Sequence, residues 1–210
     1  MKKCFYLIII SLSFSLSAVK AQGDAEAKQL LNAVTAKLKS YKGINAGFIL
    51  VSKSRAGKIN NSTSGKISIK GDKYYIKEGT TEIFSDGNKV WNYNGNDEVT
   101  VTDANAEDNA LSPQKLLTNF YDKDFTCQLI SSAGNYDQIQ LVPVDKRKNF
   151  QKVNVFVDKS KMIITKAKVV DKSSNTIDFS LKNINTSAAI PDETFVFNQK
   201  KYKKNIEVIE

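Results

Sequence analysis

The sequence predicts a mainly β protein, in which a long antiparallel meander follows one helix and is interrupted by another. Residues 64–101 alternate short runs rich in Ile, Val, Tyr, Phe and Thr with breaks that hold Gly beside Asp or Asn. Those break residues tolerate the positive φ that tight hairpins need. The same alternation resumes after residue 124, and apolar residues between 24 and 41 recur at helical spacing. We therefore expect about eleven strands and two or three helices.

The N-terminal residues have the pattern of a secretory signal peptide. Met1-Lys2-Lys3 is followed by an apolar run from Cys4 to Leu16 and then by small residues up to Ala21. A basic start, a short apolar run and small residues at the cut are typical of such a leader. We predict cleavage after Ala21, which leaves residues 22–210 as a single domain with a sizeable core. The protein is then expected to be exported and soluble.

The first predicted helix runs from Asp24 to Tyr41. Asp24 is a suitable N-cap, and Gly43 is placed to end the helix. A helix that precedes a meander must lay its apolar stripe on a face of the sheet. The stripe consists of Ala27, Leu30, Leu31, Val34, Leu38 and Tyr41.

The predicted strands fall between turn signals along the rest of the chain. Bulky residues occur on both faces of some strands, which indicates a sheet covered on both faces or one whose face lines an apolar cavity. A polar loop is expected at 54–62 and an acidic loop at 103–109. The predicted strands are 45–53, 63–70, 73–78, 81–85, 89–93, 97–102, 124–131, 136–142, 151–158, 161–171, 175–184 and 192–197.

A short second helix is predicted in the middle of the meander. Ser112 is a good N-cap and Pro113 a good first helical residue. Leu116, Leu117 and Phe120 give this helix a compact apolar face. Both helices thus offer apolar surface to the sheet, and we expect a hydrophobic cavity between a curved sheet and the helices.

Composition excludes several kinds of chemistry. The chain has no histidine, so Ser-His and Cys-His nucleophilic schemes are not available. Cys127 lies in an apolar run and is expected to be a buried small hydrophobe. No residue cluster has zinc spacing, and no glycine-rich loop joins a strand to a helix. We expect no catalytic residue, no metal site and no cofactor. A carboxylate pair stays open as an alternative, although the candidate acids are turn and loop residues: Asp86, Asp97, Glu98, Asp103, Glu107 and Asp108.

The chain is basic, with a formal net charge of +9. A basic exported protein can approach anionic membrane surfaces or acidic partners. The densest cluster, at residues 200–204, is interpreted as a solvated edge strand or tail. Nucleic-acid binding is not expected, because no aromatic and basic recognition motif is present.

Two motifs in the meander resemble a known family. A Gly-Lys-x-x-x-Lys-Gly strand at residues 65–71 is followed by Ser85-Asp86-Gly87-x-x-x-Trp91-x-Tyr93. This pattern, with a helix before it and a helical break after it, resembles the outer-membrane lipoprotein carriers (LolA-type). The resemblance implies an open, incomplete antiparallel β-barrel covered by helical lids. It also implies a periplasmic chaperone, without enzyme activity, that carries lipoproteins from the inner to the outer membrane.

The resemblance further implies the partners. Cargo, an acylated lipoprotein, would come from an inner-membrane ATP-driven releasing complex and pass to an outer-membrane acceptor; we expect the carrier to be a monomer. The candidate lipid-binding residues are apolar side chains of the two helices and of the strands, and a one-residue slip in register would move any strand residue to the other face. They are Leu31, Val34, Leu38, Phe48, Leu50, Ile67, Ile69, Tyr74, Ile76, Phe84, Tyr93, Leu116, Leu117 and Phe120.

One departure from the family pattern concerns lid closure. Many relatives carry a Lys-Arg-Pro-like run after the Gly-Lys strand, and its arginine is thought to hold the lid shut. Here the run is Lys70-Gly71-Asp72, and a glycine cannot serve that role. Two alternatives to transport stay open: a periplasmic sensor or scaffold that uses the same barrel for other lipids or lipoprotein signals, and a carboxylate-based hydrolase.

Overall fold

The computed structural model describes residues 15–104, 124–202 and 205–210. Within these residues there is one α-helix, α1, which spans Ser15–Ser40, and the remainder is built mainly of strands. Two short 3₁₀ helices, Asp192–Phe195 and Gln199–Lys201, lie near the C-terminus. The strands are β1 (Ile44–Lys53), β2 (Ile59–Lys70), β3 (Lys73–Glu78), β4 (Thr81–Ser85), β5 (Lys89–Tyr93), β6 (Glu98–Asp103), β7 (Phe125–Ala133), β8 (Tyr136–Pro143), β9 (Phe150–Asp158), β10 (Ile163–Asp171), β11 (Thr176–Asn185) and β12 (Glu207–Ile209).

All twelve described strands belong to one sheet, which does not close on itself. Their order is β12-β6-β5-β4-β3-β2-β1-β11-β10-β9-β8-β7, so β12 and β7 are the two edges. Neighbours in this order pair antiparallel, except that β12 pairs parallel with β6, and β1 joins β11 in the middle of the sheet. This single unclosed sheet fits an open barrel.

Helix α1 is longer than the sequence predicts. Among the described residues it begins at Ser15, so Asp24 lies inside it and is not its N-cap. The helix ends at Ser40. Gly43 has a different role from the predicted cap, because it forms a bridge to Ser187 and a Cβ there would lie 2.5 Å from the Ala188 carbonyl oxygen.

The C-terminal prediction was wrong. Residues 192–197 do not form a strand; Asp192–Phe195 is a 3₁₀ turn in which the Thr194 amide donates to the Pro191 carbonyl oxygen over 3.1 Å. The last strand is instead β12, at Glu207–Ile209. The predicted loop at 54–62 is also shorter, because β2 already begins at Ile59. The predicted second helix, at 112–121, lies outside the described residues.

One face of the sheet, here called the helix face, packs against α1 and holds the main core. Helix α1 contacts β7 and β10, and Ala27, Leu31, Val34 and Leu38 are its buried stripe. Valines 153, 155 and 157 of β9 alternate onto the same face and are fully buried. The predicted amphipathic helix and the alternation of β9 are thus both present.

The opposite face is covered over β3 to β6 by the C-terminal segment, defined here as residues 188–206, of which 203 and 204 are outside the described residues. Phe195 is fully buried there, together with Ala188 and Ile190. A second cluster joins Phe197 and Tyr202 to Tyr93 and its neighbours on β5 and β6. The sheet therefore has two separate apolar layers, one beneath α1 and one beneath the C-terminal segment.

Candidate functional site

Most of the predicted lipid-binding residues that the structure describes meet on the helix face. Leu50 and Tyr74 are partly buried and pack against the hydrophobic cluster between α1 and the sheet. Because β1, β2 and β3 are neighbours in register, Phe48 lies opposite Gly65, and Ile67 lies opposite Ile76. Leu31, Val34, Leu38, Phe48, Ile67, Ile69 and Ile76 are all buried in this one cluster.

Two of the predicted residues lie on the wrong face. Ile76 pairs with Ile83, so the next residue along, Phe84, points away from the helix face and lies beside Tyr75. Tyr93 pairs with Glu82, which shares the face of Phe84. The placement of Phe84 and Tyr93 beneath the helix was therefore wrong by one residue of strand parity. The other candidates, Leu116, Leu117 and Phe120, lie outside the described residues.

A few polar contacts hold the C-terminal end of α1. The Tyr41 hydroxyl donates to the Lys161 carbonyl oxygen over 2.6 Å, and the Lys37 ammonium lies 5.1 Å from the centre of the Tyr41 ring. Lys39 forms an ion pair of 2.9 Å with Asp72 in the β2–β3 turn. That turn holds Gly71, with a φ of 60°. The helix is thus tied to this turn by a lysine of its own, and both partners are more than half exposed.

The helix-face cluster carries little chemistry. Cys127 lies in this cluster, and burial raises the pKa of its thiol, which opposes thiolate formation.

Asp86, one of the candidate acids, is a turn residue. Its carboxylate accepts hydrogen bonds from the backbone amides of Asn88 and Lys89, each over 2.8 Å. These hydrogen bonds lower the pKa of Asp86, and the one from Lys89 has the largest effect. Among the residues that the structure describes, no group of three or more acidic or cysteine side chains is placed to hold a metal ion.

The opposite face contains a buried carboxylate that sequence patterns did not single out. Glu82 is 8% exposed. It accepts hydrogen bonds from the Lys77 ammonium (2.6 Å), from the Tyr75 hydroxyl (2.8 Å) and from the Tyr202 hydroxyl. Burial alone would raise the pKa of Glu82, but these three donors stabilise its charged form and the pKa lies below its usual value. The alternation of β4 could have indicated that Glu82 points inward. It could not have indicated which side chains donate hydrogen bonds to it.

An open cleft of about 1080 Å³ lies along the C-terminal segment. It is lined by amides, carboxylates, lysines and two aromatic rings, Phe197 and Tyr202. Asp192 lies at its rim and pairs with Lys70 (2.7 Å) and Lys73 (3.1 Å). This cleft therefore has a mixed polar and apolar lining and is on the other side of the sheet from the helix-face residues.

No helix in the described part of the chain combines the length and the apolar character that crossing a membrane requires.

The fold has solved counterparts at low sequence identity. An uncharacterized conserved protein from Thermus thermophilus superposes with a TM-score of 0.60 at 11% identity, covering 88% of this chain and 98% of that one. MucB gives a TM-score of 0.51 at 14% identity, covering 84% of this chain and 64% of that one. A LolA superfamily protein from Nitrosomonas europaea gives 0.47 at 12%, covering 81% and 97%. At these identities the likeness concerns the fold alone.

Among curated proteins, none matches this sequence significantly. The family model of the outer membrane lipoprotein carrier protein LolA, however, matches residues 39–198. The match extends from the last turn of α1 to the C-terminal segment, and so includes eleven of the twelve described strands. The chain therefore belongs to the LolA family.

Proposed function

We propose that this protein is a soluble periplasmic carrier that binds the acyl chains of lipoproteins and moves them from the inner to the outer membrane. The observation that carries the proposal is the apolar layer between α1 and an unclosed sheet, in a chain that belongs to a family of carrier and binding proteins. The lipid-binding residues on this layer would be those of α1 together with Phe48, Leu50, Ile67, Ile69, Tyr74 and Ile76.

The physical need for a carrier follows from the cost of exposing acyl chains. An acyl chain of about fifteen methylenes, at ~0.8 kcal/mol each, gains roughly 12 kcal/mol from leaving water. Free passage of a multiply acylated anchor through an aqueous compartment is then negligible. A carrier must replace that burial with apolar surface of its own and still release the cargo.

Cargo binding would require α1 to move. In the structure Leu31 and Val34 are 1% and 2% exposed, so they pack on the sheet. The Lys39–Asp72 ion pair is exposed, and such pairs contribute about 0–1 kcal/mol. Displacing α1 from β7 and β10 would expose the helix face to acyl chains without breaking a closed ring of strands. The free protein would then be the closed state of a two-state equilibrium.

The partners proposed for this cycle are acylated lipoproteins, an inner-membrane ATP-driven releasing complex and an outer-membrane acceptor. Export would depend on the predicted signal peptide.

The test replaces one residue of the apolar layer. Val34→Asp places a charge between α1 and the sheet, whereas Ala33→Asp places the same charge on the exposed side of the same helix turn. We expect Val34→Asp to lose most of its ability to release a fluorescent triacylated lipopeptide from vesicles, and Ala33→Asp to keep it. Circular dichroism of both variants confirms that each is folded.

Release at the wild-type level by a folded Val34→Asp variant would place the lipid site elsewhere.

Mass spectrometry of protein purified from the periplasm separates transport from the two alternatives, a sensor or scaffold and a hydrolase. Acylated peptides that copurify support transport, whereas free lipid alone supports a sensor. Turnover of a sugar substrate without any apolar ligand would support the hydrolase.

A further inference from the structure

A basic surface lies on the sheet face opposite α1, outside the part that the C-terminal segment covers. Strand register brings exposed side chains from β10, β11 and β2 onto this face, on either side of β1. We call it the lysine face and define it by four exposed residues, Lys66, Lys166, Lys168 and Lys182.

The centre of the lysine face is flat. Gly47 of β1 pairs with Lys66 on one side and Lys182 on the other. A Cβ at Gly47 would meet nothing closer than 3.7 Å. Since neighbouring strands lie about 4.8 Å apart, the two lysines flank a side-chain-free strip roughly 10 Å wide. Two ammonium groups therefore stand beside open backbone, where a flat anionic surface can approach both.

Acidic residues neutralise only part of this charge. Asp178 is shared by Lys53 (2.6 Å) and Lys168 (3.6 Å), and Lys166 lies over the Tyr136 ring at 4.6 Å. Within the described residues, Lys66 and Lys182 have neither an ion pair nor a hydrogen bond from their side chains.

The arrangement costs stability. Lys66 lies directly opposite Lys77 on β3, and like charges opposite each other destabilise a sheet. Lys77 is compensated by Glu82 at 2.6 Å, but Lys66 has no such partner among the described residues. Local rules are broken in this way mainly where a site has a function.

We propose that the lysine face docks on anionic phospholipid headgroups of a membrane. Charge complementarity and the chemistry of lysine favour lipid over an acidic protein, because lysine is depleted at protein interfaces whereas lysine clusters bind anionic lipids. Docking through this face leaves α1 directed away from the bilayer and free to move. The inference goes beyond the proposed carrier function and does not depend on which cargo is bound.

The test measures binding to vesicles by the exported protein purified from the periplasm, with its N-terminus determined by mass spectrometry. Wild type should sediment with vesicles containing phosphatidylglycerol and not with vesicles of phosphatidylcholine alone. Added salt should release it, because exposed charges are screened. At roughly fivefold in affinity per lysine, Lys66→Gln, Lys166→Gln and Lys182→Gln together should weaken binding on the order of a hundredfold.

The matched control removes the same charge from three exposed lysines elsewhere. Lys28→Gln, Lys42→Gln and Lys58→Gln lie on α1, on the turn after it and in the β1–β2 loop; together they should retain wild-type binding. An equal loss in the control would show that net charge, not the lysine face, is responsible and would overturn the proposal. The proposal would also be overturned if the wild-type protein did not bind vesicles containing phosphatidylglycerol. Val34→Asp should still bind these vesicles, so failure of the carrier proposal and failure of membrane docking are distinguishable.

Discussion

Gly65 shows why a single residue type is required in the Gly-Lys strand. A Cβ at this position would lie 2.2 Å from the Lys77 carbonyl oxygen and 2.5 Å from the ring of Phe48. The Phe48 ring therefore occupies the space that a side chain at Gly65 would need. Its centre lies 6.3 Å from the centre of the Phe179 ring, on which it stacks. The motif that led to the family resemblance has here a packing explanation.

We predict that Gly65→Ala destabilises the protein by about 1–3 kcal/mol, because an overpacked core must shift side chains or backbone. Gly47→Ala is the control, since Gly47 lies on the neighbouring strand and a Cβ there would meet nothing closer than 3.7 Å. Urea denaturation measures both free energies of unfolding. Equal values for the two variants would contradict the packing explanation.

Glu82 makes stability depend on pH. Its folded-state pKa is below the usual value of 4.5, so its contribution to stability is fully present above that value and is lost as pH falls through the lower, folded-state pKa. We predict that the wild-type free energy of unfolding decreases below about pH 4.5 and that Glu82→Gln makes this decrease smaller. Glu193→Gln, at an exposed position, should leave it unchanged. Urea denaturation across pH measures all three; identical slopes in wild type and Glu82→Gln would contradict the prediction.

At the scale of elements, aromatic rings hold the C-terminal segment to the sheet. Phe197 lies 5.9 Å from Phe84, 6.2 Å from Tyr93 and 5.2 Å from Tyr202, measured between ring centres. Its neighbour Val196 is 39% exposed. The segment should therefore depend on Phe197 and not on Val196.

We predict that Phe197→Ala loosens residues 192–202 and costs about 2–4 kcal/mol, because truncating a packed aromatic residue loses both burial and contacts. Val196→Ala should cost less than about 1 kcal/mol. Hydrogen exchange of the segment amides measures the loosening directly. Unchanged exchange in Phe197→Ala would mean that other contacts, such as those of Asp192 with Lys70 and Lys73, suffice to hold the segment.

At the scale of the whole molecule, the proposed carrier function couples cargo to stability. A ligand that binds only the folded protein stabilises it by about 2.7 kcal/mol at a concentration a hundredfold above Kd. We predict that a triacylated lipopeptide raises the Tm of wild type and of Ala33→Asp but not of Val34→Asp. Calorimetry measures the shift, and an equal shift in all three proteins would contradict binding at the helix face.

Much of the secondary structure was predictable because turn chemistry is local. Hairpins such as the one between β4 and β5 are set by Asp86 and by Gly87, whose φ is 95°; both can be read from the sequence. The error at 192–197 arose because Phe195 packs near Tyr75 of β3 and Phe197 packs near Tyr93 of β5, both far away in sequence. These distant partners hold the segment across the sheet face instead of along its edge.

The candidate site was predictable in part for the same reason. The helical spacing of Leu31, Val34 and Leu38 correctly indicated which side of α1 is buried. The period of two along each strand did not reveal which of its faces meets the helix, so Phe84 and Tyr93 were assigned to the wrong side.

The sequence by itself determined the mainly β class, the apolar stripe of α1 and the turn positions, since each depends on residues close together in the chain. Only the tertiary structure decided which strand faces meet α1, how Glu82 gains two donors from β3 and a third from the C-terminal segment, and that Lys66 and Lys182 flank Gly47. These depend on register across strands distant in sequence, and a shift of one residue there reverses the face of every side chain in a strand.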